Sequence, residues 1–272
     1  MKCFIILLFL SIQTGFSGFE RTSCGARNSA LGHASLAVMR DVWAVRANPG
    51  GLASVREFAI GVDYEPDPFG LSELRTLSAA FAVPTEIGNF GLAAQAFGFS
   101  LYRELSVSLA YGVQFGGIGI GVRSNFHSVS IARYGHTGAI SFDAGILIPL
   151  QPFLLVGLSF NNAGGSTIGA SREKLPQSFS LGASVSPLEN AAIFGAYTKE
   201  PGFPATARFG LEYVFLQHAT FRAGIDGEPA LLCGGIGIRW NGIEVDFALT
   251  HHDELGWSQE ISINIIWGGA DE

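Results

Sequence analysis

From about residue 56 to the end of the chain, apolar positions alternate with small or polar ones. In Gly242–Thr250, Ile243, Val245, Phe247 and Leu249 fall on one side of an extended chain, and Glu244, Asp246, Ala248 and Thr250 on the other. Leu105, Val107, Leu109, Tyr111, Val113 and Phe115 alternate in the same way with Ser106, Ser108, Ala110, Gly112 and Gln114. So do Ile261, Ile263, Ile265 and Trp267 with Ser262 and Asn264, and Phe209, Leu211, Tyr213 and Phe215 with Arg208, Gly210 and Glu212. Turn-forming residues interrupt these runs at short intervals. Asn241-Gly242 is the most specific of them, a two-residue hairpin signal. The pattern predicts about fourteen strands, starting near residues 56, 73, 88, 103, 117, 137, 152, 176, 189, 204, 218, 230, 242 and 256.

Two all-β architectures produce this alternation. In a secreted sandwich the apolar faces are buried between two sheets; in a transmembrane antiparallel barrel they face lipid, and the other faces line a lumen. Composition favours the barrel. The non-apolar faces consist mostly of glycine, alanine and serine rather than the lysine and glutamate that solubilise a sandwich, and only 14% of the 272 residues are charged. The strands reach about the 9–11 residues that cross a bilayer at a tilt. Tyr111, Phe115, Tyr213, Phe215, Trp240 and Trp267 stand near strand ends, where interfacial aromatic girdles sit. The net charge of −7 makes nucleic acid a poor partner.

The segment ahead of the strands divides in two. Residues 1–18 have the form of a signal peptide: Lys2, an apolar run Phe4–Ile12, then Gly15, Ser17 and Gly18. Residues 19–54 precede the first strand, and Ser29–Met39 reads as a short, slim helix. Asn48-Pro49-Gly50-Gly51 reads as a tight turn. A barrel of fourteen strands is too wide for its own side chains to fill, so this segment is expected to be a plug inside it; an ordinary helix packed on a sheet is the alternative. The barrel then runs over 55–268, with a polar tail at 269–272. Cys24 and Cys233 survive removal of the leader and are expected to be unpaired.

The stretch Gly25–Ala53 resembles the opening of the PorV/PorQ family of outer-membrane barrels, which share their architecture with the FadL transporters. The resemblance lies in Gly25-Ala26-Arg27, Ala30-Leu31-Gly32, Asp41 and Asn48-Pro49-Gly50-Gly51-Leu52, with Gly50 in place of the family's usual alanine and His33 in place of a second glycine. Arg222-Ala223-Gly224, Gly235-Ile236-Gly237, Val245-Asp246-Phe247 and Leu255-Gly256 extend it to the closing strands. It implies a fourteen-stranded barrel with an N-terminal plug, in which Arg27, Gly32, Asp41, Asn48, Pro49, Gly50 and Gly51 form the plug and its turn. It also implies a place in the outer membrane and a non-enzymatic role in type IX-like protein secretion or surface attachment, with secreted cargo or export components as partners.

Charged residues on the lumenal parity are few: Arg208, Glu212, Arg222, Arg239, Glu244 and Asp246. They form either a binding patch or an ion-pair ladder that closes the lumen. His251, His252, Asp253 and Glu254 read as a polar hairpin tip rather than a metal site, since adjacent strand residues point to opposite faces. Gly116–Arg123 imitates a phosphate loop, but Ile118, Ile120 and Val122 alternate with Gly119 and Gly121, which is a strand with a smooth inner face. Ser141 and Asp143 share a face with no obvious histidine. No catalytic constellation, cofactor or metal is therefore expected. Beside the export role stands a FadL-like channel for hydrophobic small molecules, which needs apolar residues on the inner parity near the outer rim; Leu147 and Ile266 break alternation in that sense.

Overall fold

A computed structural model describes residues 18–19, 24–227 and 230–267. The expected signal peptide up to residue 17 and the tail 269–272 lie outside the described residues. Fourteen strands close into an antiparallel barrel: β1 (Phe58–Glu65), β2 (Thr76–Thr85), β3 (Gly88–Gly98), β4 (Tyr102–Phe115), β5 (Ile118–Ile131), β6 (Gly135–Gln151), β7 (Leu154–Asn161), β10 (Ser178–Leu188), β11 (Ala191–Lys199), β12 (Thr206–Leu216), β13 (Ala219–Gly227), β14 (Ala230–Trp240), β15 (Ile243–His252) and β16 (Gly256–Trp267). Two further strands of two residues each, β8 (Thr167–Ile168) and β9 (Glu173–Lys174), pair within the β7–β10 loop. Every barrel strand starts within three residues of its expected position.

The wall is a continuous up-and-down meander closed by β1 against β16, with Phe58 opposite Trp267. Its two ends differ. At the end that carries both barrel termini, the hairpins turn in two residues, as at Gly116-Gly117 and Asn241-Gly242. Longer connections, 66–75 and 162–177 among them, lie at the other end. The apolar parity faces outward along every strand: Leu109, Val122, Ile140, Phe209 and Ile263 are all exposed, while their neighbours Ser108, Arg123, Ser141 and Ser262 are buried. This is a barrel turned inside out relative to a soluble sandwich, with its apolar surface where hydrocarbon belongs and its polar groups within. Closure also pairs the edge strands, which no open sheet achieves.

Residues 24–55 lie inside. The plug has three short helices, α1 (Ala26–Ala30), α2 (Ala44–Ala47) and α3 (Pro49–Leu52). The expected helix over 29–39 is therefore corrected. Gly32 and His33 both take left-handed backbone angles, which stop α1 at Leu31, and the chain proceeds to Trp43 through turns. The expected turn at Asn48-Pro49-Gly50-Gly51 is itself helical. Asn48 caps α3 by accepting the Gly50 N–H at 3.0 Å, with Pro49 at the first helical position. Helix α1 rests on β13–β16, and α3 on β3–β7, so the plug crosses the lumen from wall to wall.

Candidate functional site

The plug is seated on glycine. A side chain carbon added at Gly210 would lie 2.7 Å from the Leu31 carbonyl oxygen, one at Gly157 2.7 Å from that of Leu36, and one at Gly112 2.8 Å from the Ala53 nitrogen. Gly121, in the glycine-rich run of β5, leaves room for the Pro49 carbonyl. The fit is reciprocal. A carbon on Gly50 would meet the Ile146 Cα at 2.7 Å, and one on Gly32 the Ile225 nitrogen at 2.6 Å. Glycine at position 50, where the resembling family carries alanine, is thus required by the wall of this chain.

Main-chain oxygens along the plug find partners on the wall, as buried backbone requires. Asn89 Nδ2 donates to the carbonyls of Leu52 and Val55 at 2.8 and 2.7 Å, and Ser184 Oγ to that of Ala37 at 2.8 Å. Asn48 Nδ2 donates to Leu36 within the plug and to Ile146 of the wall, both at 3.1 Å. Trp43, fully buried, donates its indole N–H to Asn264 at 2.9 Å and packs with Val42, Val45, Leu52 and Val55. Leu147 is buried and Ile266 packs against this cluster. Both stand near the turn end of the barrel, on strands that also hold the plug. This corrects the expectation that they mark an apolar pocket near the outer rim.

Five of the six expected lumenal charges come together, and they join the plug. Arg222 reaches Glu212 at 2.7 Å, Asp246 at 2.5 Å and Glu244 at 3.2 Å; Arg239 reaches Glu244 at 2.5 Å. Gly237 leaves the space this cluster occupies. Arg27 of α1 forks onto Glu212 at 2.8 and 2.9 Å and contacts Asp41 at 3.3 Å. Burial holds the Asp41 carboxyl above its usual range, against the pull of Arg27 and of the Trp43 N–H. These residues form one ion-pair ladder beside α1, with Arg27 and Asp41 as the plug's part in it. Arg208 is apart from them: it pairs with Asp226 at 3.0 Å and donates to Thr198 at 2.9 Å nearer the loop end.

On the loop side of the plug lies a chamber of about 590 Å³, a volume suited to a small organic molecule. Its floor is the plug, at Cys24, Asn28, Ser29, Ser35, Leu36 and Arg46. Its wall carries a pair whose partnership the sequence does not show. Arg123 and Asp143 form a buried ion pair at 2.6 Å. Arg123 Nη1 also donates to the carbonyls of Val45 (2.8 Å) and Arg46 in the plug. Asp143 Oδ1 accepts the Asn162 N–H at 2.6 Å, at the root of the β7–β10 loop. One ion pair therefore ties the floor of the chamber to the loop at its mouth.

The histidine expected to be missing near Ser141 is His127 of β5. Its ring nitrogens lie 3.0 Å from Ser106 Oγ and 3.0 Å from Ser141 Oγ. Asp143 instead takes bonds from Arg123 and Asn125, so serine, histidine and aspartate do not line up as a catalytic triad. At the hairpin tip, His252 Nδ1 accepts the N–H groups of Glu254 and Leu255, and His251 packs on Trp257. Among the described residues no cluster of metal-ligating side chains occurs. Cys24 and Cys233 are both buried, and burial pushes the Cys24 thiol up to about 11.

No family model and no curated relative matches the chain. Solved structures do match in fold. The toluene transporter TbuX of Ralstonia pickettii superimposes with a TM-score of 0.66 at 14% identity, over 90% of this chain and 98% of that one. The monoaromatic hydrocarbon channel CymD gives 0.65 at 14% identity over the same shares, and a FadL homologue of Pseudomonas aeruginosa gives 0.63 at 11% identity over 92% of this chain and 99% of that one. The chain has the FadL-like barrel fold with its inner plug.

Proposed function

We propose that this barrel is an outer-membrane channel that takes a small, largely hydrophobic solute from the cell exterior and passes it inward around its N-terminal plug. The carrying observation is the chamber above the plug, in a barrel whose fold is that of a toluene transporter and of a monoaromatic hydrocarbon channel. The exterior meets lipid through its apolar strand faces, girdled at the turn end by Phe115, Tyr213, Trp240 and Trp267 and toward the loop end by Tyr197 and Trp257. The two-residue turns and the strand termini then face the periplasm, and the loops and chamber mouth face outward. The protein acts without chemistry of its own: the plug closes the path, and passage requires it to shift. Export of secreted proteins, the role implied by the sequence resemblance, draws on that resemblance alone.

Uptake of labelled toluene and p-cresol by cells whose outer membrane carries the barrel, against cells that lack it, tests the reading. Faster, saturable uptake is expected. Equal rates, with secreted proteins co-purifying with the detergent-solubilised barrel, would overturn it in favour of export.

A further inference from the structure

Within that channel reading, we infer that the chamber selects a neutral solute carrying a hydroxyl group on a small apolar skeleton, such as a phenol, over the bare hydrocarbon and over a carboxylate. Three features of the chamber carry this.

The first is the row Ser106–His127–Ser141, which crosses β4, β5 and β6 on the lumenal face. Neutral imidazole has one donor and one acceptor, and each serine has one donor. If Ser106 donates to Nδ1, Nε2–H donates to Ser141, and the Ser141 hydrogen is left over. In the other tautomer the chain reverses and the Ser106 hydrogen is left over. Asn125 Nδ2 also donates to Ser141 at 3.1 Å and the Phe19 ring packs on His127, so either way the row keeps one O–H, with spare lone pairs at the Ser106 end, in the chamber lining. A site that offers a donor beside acceptors matches a hydroxyl, which is both. Toluene would cover these groups and return no hydrogen bond, which is costly for buried polar groups.

The second is charge. Among the described residues of the lining are three arginines, Arg46, Arg123 and Arg208. Arg123 and Arg208 are already engaged by Asp143 and Asp226. An anionic solute would have to displace these carboxylates from their arginines, so a fatty acid or benzoate is disfavoured.

The third is the apolar part of the lining. Phe69, Leu175, Leu231 and Leu255 come from the loop end, above the polar row. A molecule with an apolar ring and one hydroxyl satisfies both zones at once.

The test uses three probes on one skeleton: p-cresol, toluene and 4-methylbenzoate, titrated calorimetrically into the purified full-length barrel in detergent. An apolar pocket prefers toluene, because removing a hydroxyl from water carries a penalty. The expected result is p-cresol binding at least about tenfold tighter than toluene, with 4-methylbenzoate weakest. Ser106→Ala with Ser141→Ala should bring p-cresol to the level of toluene. His127→Phe provides a second variant should the double one fail to fold, which the heat-dependent shift of the folded barrel on gels reports. Toluene binding as tightly as p-cresol, or 4-methylbenzoate binding best, overturns the inference while the channel reading stands on the uptake measurement. If none of the three binds and uptake is also unchanged, the inference and the channel reading both fail.

Discussion

The lumen is divided between two regions built on one wall with one parity. Under and around the plug, inward positions are glycine: Gly112, Gly121, Gly157 and Gly210 let main chain touch main chain. A few residues further along the same strands, toward the loops, the inward positions are Ser106, Ser108, Asn125, Ser141 and Ser180, and the lumen stays open. The presence or absence of a side chain on the inner face decides whether the barrel holds a folded segment or a cavity, and the polar kind of side chain decides what that cavity accepts. The ion pairs follow the same division. The Arg222 ladder lies on the plugged side, and Arg123–Asp143 links the plug to the chamber mouth.

The sharpest way to break this comparison is to put bulk where glycine stands. In Gly121→Val the new side chain takes the place of the Pro49 carbonyl, and the plug cannot seat. We expect wild-type barrels to carry almost no current in a planar bilayer and Gly121→Val to conduct steadily. The same enlargement in the other region, Ser180→Val, should leave the bilayer silent. Cys24 gives a second readout. Buried, with its thiol held up at about 11, it should resist maleimide in wild type and Ser180→Val and react in Gly121→Val. Equal conductance in the two variants would refute the division.

Next in size is Asp143→Asn, which leaves Arg123 buried without its counter-charge. Loss of one partner of such a pair costs about 3–5 kcal/mol, and thermal unfolding in detergent should show it. Replacing both, Arg123→Met with Asp143→Leu, should cost less. A double variant worse than the single would mean that the bonds to Val45, Arg46 and Asn162 outweigh the charge. Arg27→Ala is expected to cost about 1–3 kcal/mol, since its bonds to Glu212 and Asp41 are charged but partly solvated. Earlier cleavage of residues 24–55 by protease, with the barrel intact, is the readout. The smallest effect belongs to the hairpin tip. His252→Ala should change stability by under about 0.5 kcal/mol, and added zinc should shift neither protein's melting; a zinc-dependent rise in wild type would restore a metal site there.

Much of this was legible in the chain. Alternation located all fourteen strands because the outward faces are mostly apolar, as Leu105, Val107 and Leu109 illustrate. The smooth inner face of Gly119 and Gly121 was readable for the same reason. The plug's path was not. Its helices are one turn long and are fixed by backbone contacts with glycines far away in sequence, which no local period encodes, and left-handed angles at Gly32 and His33 cut the expected helix short. The charge ladder was visible because its members sit on adjacent hairpins. The chamber was not, because Ser106, His127 and Ser141 meet only once barrel register is set, and serine on a strand looks alike whether it faces a plug or a cavity.

The account rests on a lumen that is sealed by the plug and holds solute above it. A crystal structure of the barrel grown with p-cresol tests this most directly. The account predicts density for the ring in the chamber, its hydroxyl within hydrogen-bond reach of Ser106 or Ser141, and residues 24–55 seated on the glycine wall below. An empty chamber with p-cresol bound elsewhere, or a plug lying outside the barrel, would contradict it.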